Sequence, residues 1–197
     1  RESGAEVIVL ERAPIASKGG NSRYTAGAMR FVYNDVNDLR EIMPELSDSE
    51  VANADFGSYT RDNFYDDMGR LTQYRSDPDL TEILIENSFD TIKWMHRQGV
   101  KFLPMYGRQA FKIDGKFRFW GGLTVETWGG GPGLIENLHK AADAAGIPII
   151  CDCRAIELKN SDDGVEGIIV KHEGKTKTIN CNAVVLACGG FEANSEW

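Results

Sequence analysis

The first residue with evident chemical potential is Glu11, which follows the apolar run at residues 7–10. A short continuous apolar run is typical of a buried parallel strand. A carboxylate at the end of such a strand can accept hydrogen bonds from the hydroxyls of a ribose. Taken alone, an acidic residue after a strand is weak evidence, because such a residue more often has a structural role.

A second segment combines glycines with helix-capping residues. Gly19 and Gly20 are followed directly by Asn21 and Ser22, which are both favourable at the start of a helix. The free N–H groups at a helix N-terminus attract anions, and glycine lets the backbone approach them closely. The segment therefore predicts a site for a pyrophosphate.

A third segment lies near the end of the sequence, where Gly189 and Gly190 follow the apolar run 184–187. This run also predicts a buried strand. Open α/β sheets bind ligands beyond the carboxyl ends of their strands, where such a tight glycine turn would lie. Each of the three segments has a plain structural explanation, and it is their order and spacing together that indicate nucleotide binding.

Residues 101–120 are locally basic and rich in aromatic side chains. Their charged residues are one acid, Asp114, and five cations: Lys101, Arg108, Lys112, Lys116 and Arg118. Because a guanidinium can bind a carboxylate through two hydrogen bonds, Arg108 and Arg118 are the candidates for binding an anionic substrate. The alternative is a basic loop that faces water.

Composition excludes several classes of function. The 197 residues carry a net charge of −8, which disfavours nucleic acid as a partner. The three histidines are scattered, so we expect no metal site, and G-x-S-x-G is absent. The four cysteines contain no C-x-x-C, and reduced thiols fit a cytoplasmic protein. No apolar run is long enough to span a bilayer.

The elements that must position these residues alternate between strand and helix. Residues 35–67 contain ten acidic and two basic residues, which predicts a solvated, mostly helical excursion. Asp77 and Pro78 then open a helix that Gly99 ends, with Leu80, Ile83 and Leu84 on its core face.

A second helix is predicted from about residue 134 to 145, because Gly146 and Pro148 would end it. Short strands follow near 147–159, 165–172 and 175–180, with a hairpin turn at residues 162–164. Residues 1–6 are typical of the last turn of a helix, ended at Gly4. We therefore expect both ends of the domain, at Arg1 and at Trp197, to be incomplete.

The motifs are similar to those of the fumarate reductase/succinate dehydrogenase flavoprotein family. The resemblance runs along the whole chain, and its strongest matches are Leu10-Glu11 and four segments: 19–27 (GGNSRYTAG), 117–122 (FRFWGG), 129–133 (GGGPG) and 184–191 (VVLACGGF). It implies an α/β, Rossmann-like FAD-binding domain with a helical excursion at 35–100 and a small β-rich insertion. Residues 101–131 would form an aromatic, glycine-rich segment near the flavin ring.

The resemblance also implies a role for individual residues. Glu11 would bind the adenosine ribose, and the backbone of Ala155 would face the adenine. The remaining cofactor-binding residues would be Gly19, Gly20, Asn21, Ser22, Ala26, Gly27, Ala187, Gly189 and Gly190. Covalently flavinylated relatives carry a histidine after the Asn-Ser pair, whereas residues 23–27 contain none, so we expect non-covalent FAD.

The resemblance places other functional parts outside residues 1–197. The first βα unit would precede Arg1, and the substrate-capping domain would not be included. The catalytic residues are expected beyond Trp197, so the sequence names no catalytic acid or base.

The activity implied by the resemblance is dehydrogenation of a small polycarboxylate, with tricarballylate giving cis-aconitate. A membrane-bound iron–sulfur or haem protein would take the electrons, which would place this cytoplasmic protein at the inner face of the membrane. Two enzymatic alternatives are a fumarate reductase-like reaction and a ketosteroid dehydrogenase-like reaction. A third is a truncated flavin domain without catalytic activity, and residues 1–197 alone are expected to be inactive.

Overall fold

The structure is a computed structural model, and it describes residues 1–190, 195 and 196. The strands are β1 (Val9–Leu10), β2 (Ala28–Met29), β3 (Ala54–Asp55), β4 (Phe102–Pro104), β5 (Ala110–Ile113), β6 (Lys116–Phe119), β7 (Val125–Thr127), β8 (Ile149–Ile150), β9 (Cys153–Ser161), β10 (Gly164–His172) and β11 (Lys175–Asn180). The α-helices are α1 (Val36–Ile42), α2 (Asp48–Asn53), α3 (Arg61–Thr72), α4 (Pro78–Glu86), α5 (Ser88–Arg97), α6 (Tyr106–Gln109) and α7 (Gly130–Ala144).

Two residues named in the sequence analysis lie outside the described residues. One is Phe191, the last residue of the 184–191 segment. The other is Trp197, beyond which the catalytic residues are expected. The structure does not test the expectation that catalysis depends on residues after Trp197, and this expectation stays a prediction.

The chain forms two compact units. The first contains residues 1–24 and 139–197, and the second contains residues 25–138. Among the described residues, no helix combines the length and the apolar character that crossing a bilayer requires. Strands and helices are mixed along the chain, as the predicted α/β class requires.

The first unit is built mainly from strands. β1 pairs in parallel with β8, and β9, β10 and β11 form an antiparallel sheet in the order β11-β10-β9. The predicted hairpin at 162–164 is present, with Gly164 opposite Ser161. Buried Cys153, Ile168 and Val170 form the core of this unit. The parallel pairing of β1 agrees with the prediction. The predicted burial is wrong, because the sheet has only two strands and Ile8 and Val9 are 43% and 41% exposed.

The second unit has a larger, aromatic core. Phe31, Tyr33, Phe56, Tyr59 and Phe64 are among its buried side chains. Two three-stranded sheets, in the orders β2-β7-β4 and β3-β6-β5, contribute residues to this core. Burying an aromatic side chain removes a large apolar area from water, so these rings dominate the stability of the unit.

The helices between residues 36 and 97 begin at capping residues that the sequence supplies. Asp35 accepts a hydrogen bond from the backbone of Asn37, and Asp77 accepts one from the backbone of Leu80. Ser47 and Glu50 form a capping box at the start of α2. Each cap pairs a backbone N–H group that the first turn leaves without a partner.

The prediction of one helix from 77 to 99 is wrong in two respects. The helix is interrupted at Asn87, whose side chain donates to the Ile83 carbonyl, so that α4 and α5 are separate. The buried residues of α4 are Thr81 and Ile85, whereas Leu80, Ile83 and Leu84 are exposed, Leu80 by 66%. Residues 80–85 are apolar around most of the helix, so periodicity could not identify the face that packs.

The predicted buried strand at 184–187 is also not observed. This segment has no regular structure, and its Val185 is 88% exposed. A parallel strand needs neighbours that pair with its backbone. Among the described residues, no backbone hydrogen bond links 184–187 to either strand of the β1–β8 sheet.

Candidate cofactor site

Glu11 organises the loop that follows β1. Its backbone N–H donates to the Ile150 carbonyl of β8 at 2.9 Å. One carboxylate oxygen, Oε1, accepts from the Ala13 backbone at 2.8 Å, and Oε2 accepts from the Gly19 backbone at 3.2 Å. Because a carboxylate offers about four lone-pair sites, acceptor capacity remains for the hydroxyls of a ribose.

The glycine segment after Glu11 is compact but forms no α-helix. Gly20 begins a five-residue 3-10 helix, Gly20–Tyr24, in place of the predicted α-helix start. Asn21 and Ser22 are exposed in this turn. The Arg23 side chain donates to the Ala16 carbonyl at 2.5 Å and so closes the loop. A five-residue 3-10 helix aligns fewer peptide groups towards an anion than the start of the α-helix that the sequence predicted.

The other predicted cofactor residues of the first unit lie on separate elements. Ala155 is an exposed residue of β9, whereas Ala187, Gly189 and Gly190 belong to the irregular segment after β11. Within the described part of the chain, no hydrogen bond joins any of these four residues to Glu11 or Gly19. The structure therefore brings Glu11 and Gly19 together and leaves the other four exposed to solvent.

His139 is a titratable group near Glu11 that the sequence did not single out. Burial lowers the pKa of its imidazole, and the charge of Lys18 lowers it further, while Asp143 and Glu11 act in the opposite direction. The lowered pKa favours the neutral form of the imidazole. Among the described residues, no three His, Cys, Asp or Glu side chains lie together as metal ligands.

Ala26 and Gly27 lie in the second unit, in a loop that is joined to the start of α7. The Gly27 carbonyl accepts from the Thr127 backbone at 2.9 Å, and the Thr25 carbonyl accepts from the Gly131 backbone at 3.0 Å. Thr127 Oγ1 in turn donates to the Gly130 carbonyl at 2.9 Å. These bonds fix two glycine-containing segments, 25–27 and 129–131, against each other.

Arg108 and Arg118 are both exposed side chains of the second unit. Arg108 lies in the four-residue helix α6, and Arg118 lies in β6, next to Asp55 of β3. The Arg118 Nε to Asp55 Oδ2 distance is 3.8 Å. An exposed ion pair of this length is weak, so Arg118 remains free to bind an anion. The role of Arg108 and Arg118 in substrate binding stays a prediction.

The sequence analysis missed an arginine whose surroundings are more specific. Nη1 of Arg30 donates to Asp67 Oδ2 at 2.6 Å, to Tyr59 Oη at 2.6 Å and to the Gly121 carbonyl at 2.9 Å. Tyr59 Oη donates to Asp67 Oδ2 at 2.8 Å. The available signal was position, since Arg30 directly follows β2 and lies three residues after Gly27. We call Arg30, Tyr59, Asp67 and Gly121 the Arg30 cluster.

The Arg30 cluster predicts a loss of stability at alkaline pH. Burial, followed by the hydrogen bond to Asp67, raises the pKa of Tyr59 from 10.0 to about 12. The folded state therefore favours the neutral phenol, and its contribution is complete below pH 10 and is lost as the pH rises towards 12. We expect Tyr59→Phe to reduce the fall in the free energy of unfolding over this range, measured by denaturant titration at each pH. Equal slopes in both proteins would contradict the assignment.

The residues of the first unit fit the adenosine diphosphate part of a dinucleotide. A Cβ added at Gly20 or at Gly189 would meet no atom within 4 Å, so the backbone is open to a ligand at both positions. Glu11 supplies a carboxylate with spare lone pairs beside the Gly19–Gly20 backbone. Small side chains, open backbone and one acceptor carboxylate are what the phosphates and the ribose require.

Comparison with known proteins decides the family. The profile of the family described as FAD binding domain matches residues 1–197, the whole chain. The chain belongs to this family. FAD is therefore the cofactor of the domain, as predicted from the sequence.

The relatives of this FAD-binding domain are flavoproteins of the fumarate reductase/succinate dehydrogenase type. The chain is 29% identical to a fumarate reductase (cytochrome) from Shewanella frigidimarina, over 99% of this chain and 31% of that protein. A solved structure of the open conformation of a flavocytochrome c3 fumarate reductase superposes with a TM-score of 0.69 at 27% identity, over 99% of this chain and 31% of that one. The domain thus spans about a third of the length of these relatives.

A third similarity concerns the fold alone. A 3-ketosteroid-Δ4-(5α)-dehydrogenase from Rhodococcus jostii RHA1 superposes with a TM-score of 0.64 at 20% identity, over 91% of this chain and 39% of that one. At this identity the superposition shows a shared FAD-binding fold. Selection of a steroid would depend on side chains that such a comparison does not address.

Proposed function

We propose that the protein is a flavin-dependent oxidoreductase that acts on the carbon–carbon bond of a small carboxylate, in the manner of a fumarate reductase. The observation that carries this proposal is the 29% identity to a fumarate reductase along 99% of the chain. A flavocytochrome c3 fumarate reductase also shares the fold along the same extent. We therefore favour an unsaturated dicarboxylate as the substrate over the tricarballylate that the sequence analysis favoured.

We propose that the FAD is held by the residues named from the sequence. Glu11 would accept hydrogen bonds from the adenosine ribose, and Ala155 would offer its backbone to the adenine. The pyrophosphate and the flavin would lie along Gly19, Gly20, Asn21, Ser22, Ala26, Gly27, Ala187, Gly189 and Gly190. The absence of histidine from residues 23–27 supports non-covalent binding. When bound, FAD supplies the hydride transfer that no protein side chain can perform.

The charge of residues 101–120 supports a carboxylate as the substrate. Five cations and one acid occupy this stretch, although the whole chain carries a charge of −8. Arg108 and Arg118 are exposed and can each pair with a carboxylate. Reduction of the substrate adds a hydride to one carbon of the double bond and a proton to the other, and dehydrogenation removes both. We propose that the group exchanging this proton lies beyond Trp197, as the family resemblance implies.

A second candidate is the dehydrogenation of tricarballylate to cis-aconitate. The excess of cations at residues 101–120 favours it, because a substrate with three carboxylates needs more cationic partners than one with two. The two candidates differ in direction as well as in substrate. We further propose an electron-transfer partner, an iron–sulfur or haem protein, since reduction and dehydrogenation both require an exchange of electrons.

The test is an anaerobic spectroscopic experiment on the full-length protein. We expect the purified protein to show flavin absorbance that dithionite bleaches and that fumarate then restores. The matched experiment adds tricarballylate or succinate to the oxidised protein and follows bleaching. Denaturation followed by filtration would separate the flavin from the chain if it is bound non-covalently.

The outcomes separate the candidates. Reoxidation by fumarate supports the main proposal, whereas bleaching by tricarballylate but not by succinate supports the second candidate. A flavin that responds to none of these carboxylates would reject both substrates and retain the cofactor. Flavin that stays with the denatured chain would contradict non-covalent binding.

A further inference from the structure

The Arg30 cluster holds one guanidinium group in a fixed orientation. All three of its hydrogen bonds within the cluster, to Asp67, Tyr59 and Gly121, come from the same nitrogen, Nη1. The guanidinium also lies over the Tyr59 ring, 5.0 Å from the ring centroid. Nη1 carries two hydrogens, which the three acceptors share. A guanidinium held in this way has already lost conformational freedom, so a further ligand binds at a lower entropic cost.

The opposite edge of this guanidinium is unused. Among the described residues, none makes a hydrogen bond or an ion pair with Nε or Nη2 of Arg30. The side chain is 25% exposed, and neither Nε nor Nη2 is among the fully buried side-chain atoms that lack a partner, so a ligand can reach this edge. The Nε–Nη2 edge of arginine is a planar pair of donors that matches the two oxygens of a carboxylate.

The charge of the Arg30 cluster together with its neighbour Arg70 is suited to an anion. Asp67 is shared by two arginines, since its Oδ1 accepts from Arg70 Nη2 at 2.9 Å while its Oδ2 accepts from Arg30. Two guanidinium groups against one carboxylate leave a net positive charge. Tyr59 adds no negative charge, because its pKa is raised to about 12. An incoming carboxylate would therefore be attracted and not repelled.

The position of Arg30 connects it with the proposed cofactor residues. It follows β2 and is three residues after Gly27, and its partner Gly121 belongs to an open turn. A Cβ added at Gly121 would meet no atom within 4 Å, so there is space beside the turn. The neighbouring Trp120 is exposed. A ligand can therefore approach the Arg30 cluster from solvent.

We propose that Arg30 is a substrate-binding residue that takes one carboxylate of the substrate through its Nε–Nη2 edge, while Asp67 and Tyr59 hold it in place. This inference rests on the proposed function, since it assumes a small carboxylate substrate. Arg30 would be a substrate-binding residue outside the basic segment 101–120. The three-point anchoring distinguishes Arg30 from Arg108 and Arg118, which are exposed.

The experiment is isothermal titration calorimetry on the full-length, FAD-loaded, oxidised protein. The probes are fumarate and cis-aconitate, since neither is turned over without an electron donor. We expect Arg30→Gln to raise the Kd of the bound carboxylate about tenfold or more, as loss of a charged hydrogen-bond pair should. Arg30→Lys keeps the charge but loses the planar pair of donors, so we expect nearly the same rise in Kd. Its FAD content and thermal stability should stay close to those of the unmodified protein.

The comparison variant is Arg70→Gln, which removes the other cation from Asp67. Because the Arg70 side chain is 69% exposed and water screens its charge, we expect the Kd to rise by only about two- to threefold, clearly less than in the Arg30 variants. If both Arg30 variants bind the probes as tightly as the unmodified protein, the role of Arg30 is rejected and the proposed function stands. If the unmodified protein binds neither probe, the proposed function is rejected, and the inference about Arg30 is rejected as well. Loss of FAD or of folding in both Arg30 variants would show a structural role and would also overturn the proposal.

Discussion

Replacement of Gly27 by alanine is expected to remove FAD from the protein and to destabilise the domain by about 2–4 kcal/mol. Gly27 has a φ of 79°, which only glycine adopts without strain. A Cβ at this position would lie 2.2 Å from Thr127 Oγ1 and 2.9 Å from two backbone atoms of Gly130. The threonine side chain could rotate, but the Gly130 backbone is held by the hydrogen bond from Thr127. The segments 25–27 and 129–131 would have to separate.

The measurement is the flavin-to-protein absorbance ratio of the purified full-length variant, together with its thermal unfolding. Gly107→Ala is the matched control, because an added Cβ there meets no atom within 4 Å and Gly107 does not have a positive φ. We expect the control to keep its FAD and its stability. A Gly27→Ala protein with normal flavin content and normal unfolding would show that the two segments separate without cost.

The elements that the sequence predicted well are those set by local chemistry. The hairpin at 162–164 follows from Asp162, Asp163 and Gly164, whose turn preference is a property of the residues themselves. The start of α4 follows equally from Asp77 and Pro78. The hydrogen bond from Gly19 to Glu11 makes the strand-end acid part of the glycine loop, although the sequence could indicate only their order.

The elements that the sequence did not predict depend on packing partners. Leu80 and Ile85 are equally apolar, and only the contacts of α4 with its neighbours bury Ile85 and leave Leu80 exposed. The run 184–187 is apolar enough for a central strand, but pairing requires a neighbour that residue types alone do not reveal. Arg30 was overlooked for the same reason, because its partners Tyr59, Asp67 and Gly121 are far from it in the sequence.

The second large effect is expected at Glu11, where replacement by alanine should weaken FAD binding about a hundredfold or more. The carboxylate has two tasks in our proposal. It holds the backbone N–H groups of Ala13 and Gly19, and it accepts hydrogen bonds from the adenosine ribose. Alanine has no carboxylate and can perform neither task. Glutamine keeps one oxygen but turns an NH₂ donor towards the other N–H group, so we expect it to weaken binding substantially as well.

The two tasks of Glu11 can be separated with nucleotides that differ by one hydroxyl. Apoprotein with Glu11 should bind ADP about tenfold more tightly than 2′-deoxy-ADP, because the carboxylate is a charged acceptor for the missing hydroxyl. In Glu11→Ala the ratio of the two affinities should fall to about one, because a rearranged loop would weaken the binding of both nucleotides equally. Glu6→Ala, at an exposed acid before β1, should retain the tenfold ratio. A ratio that survives in Glu11→Ala would mean that the carboxylate only holds the loop, and the ribose would then need another acceptor.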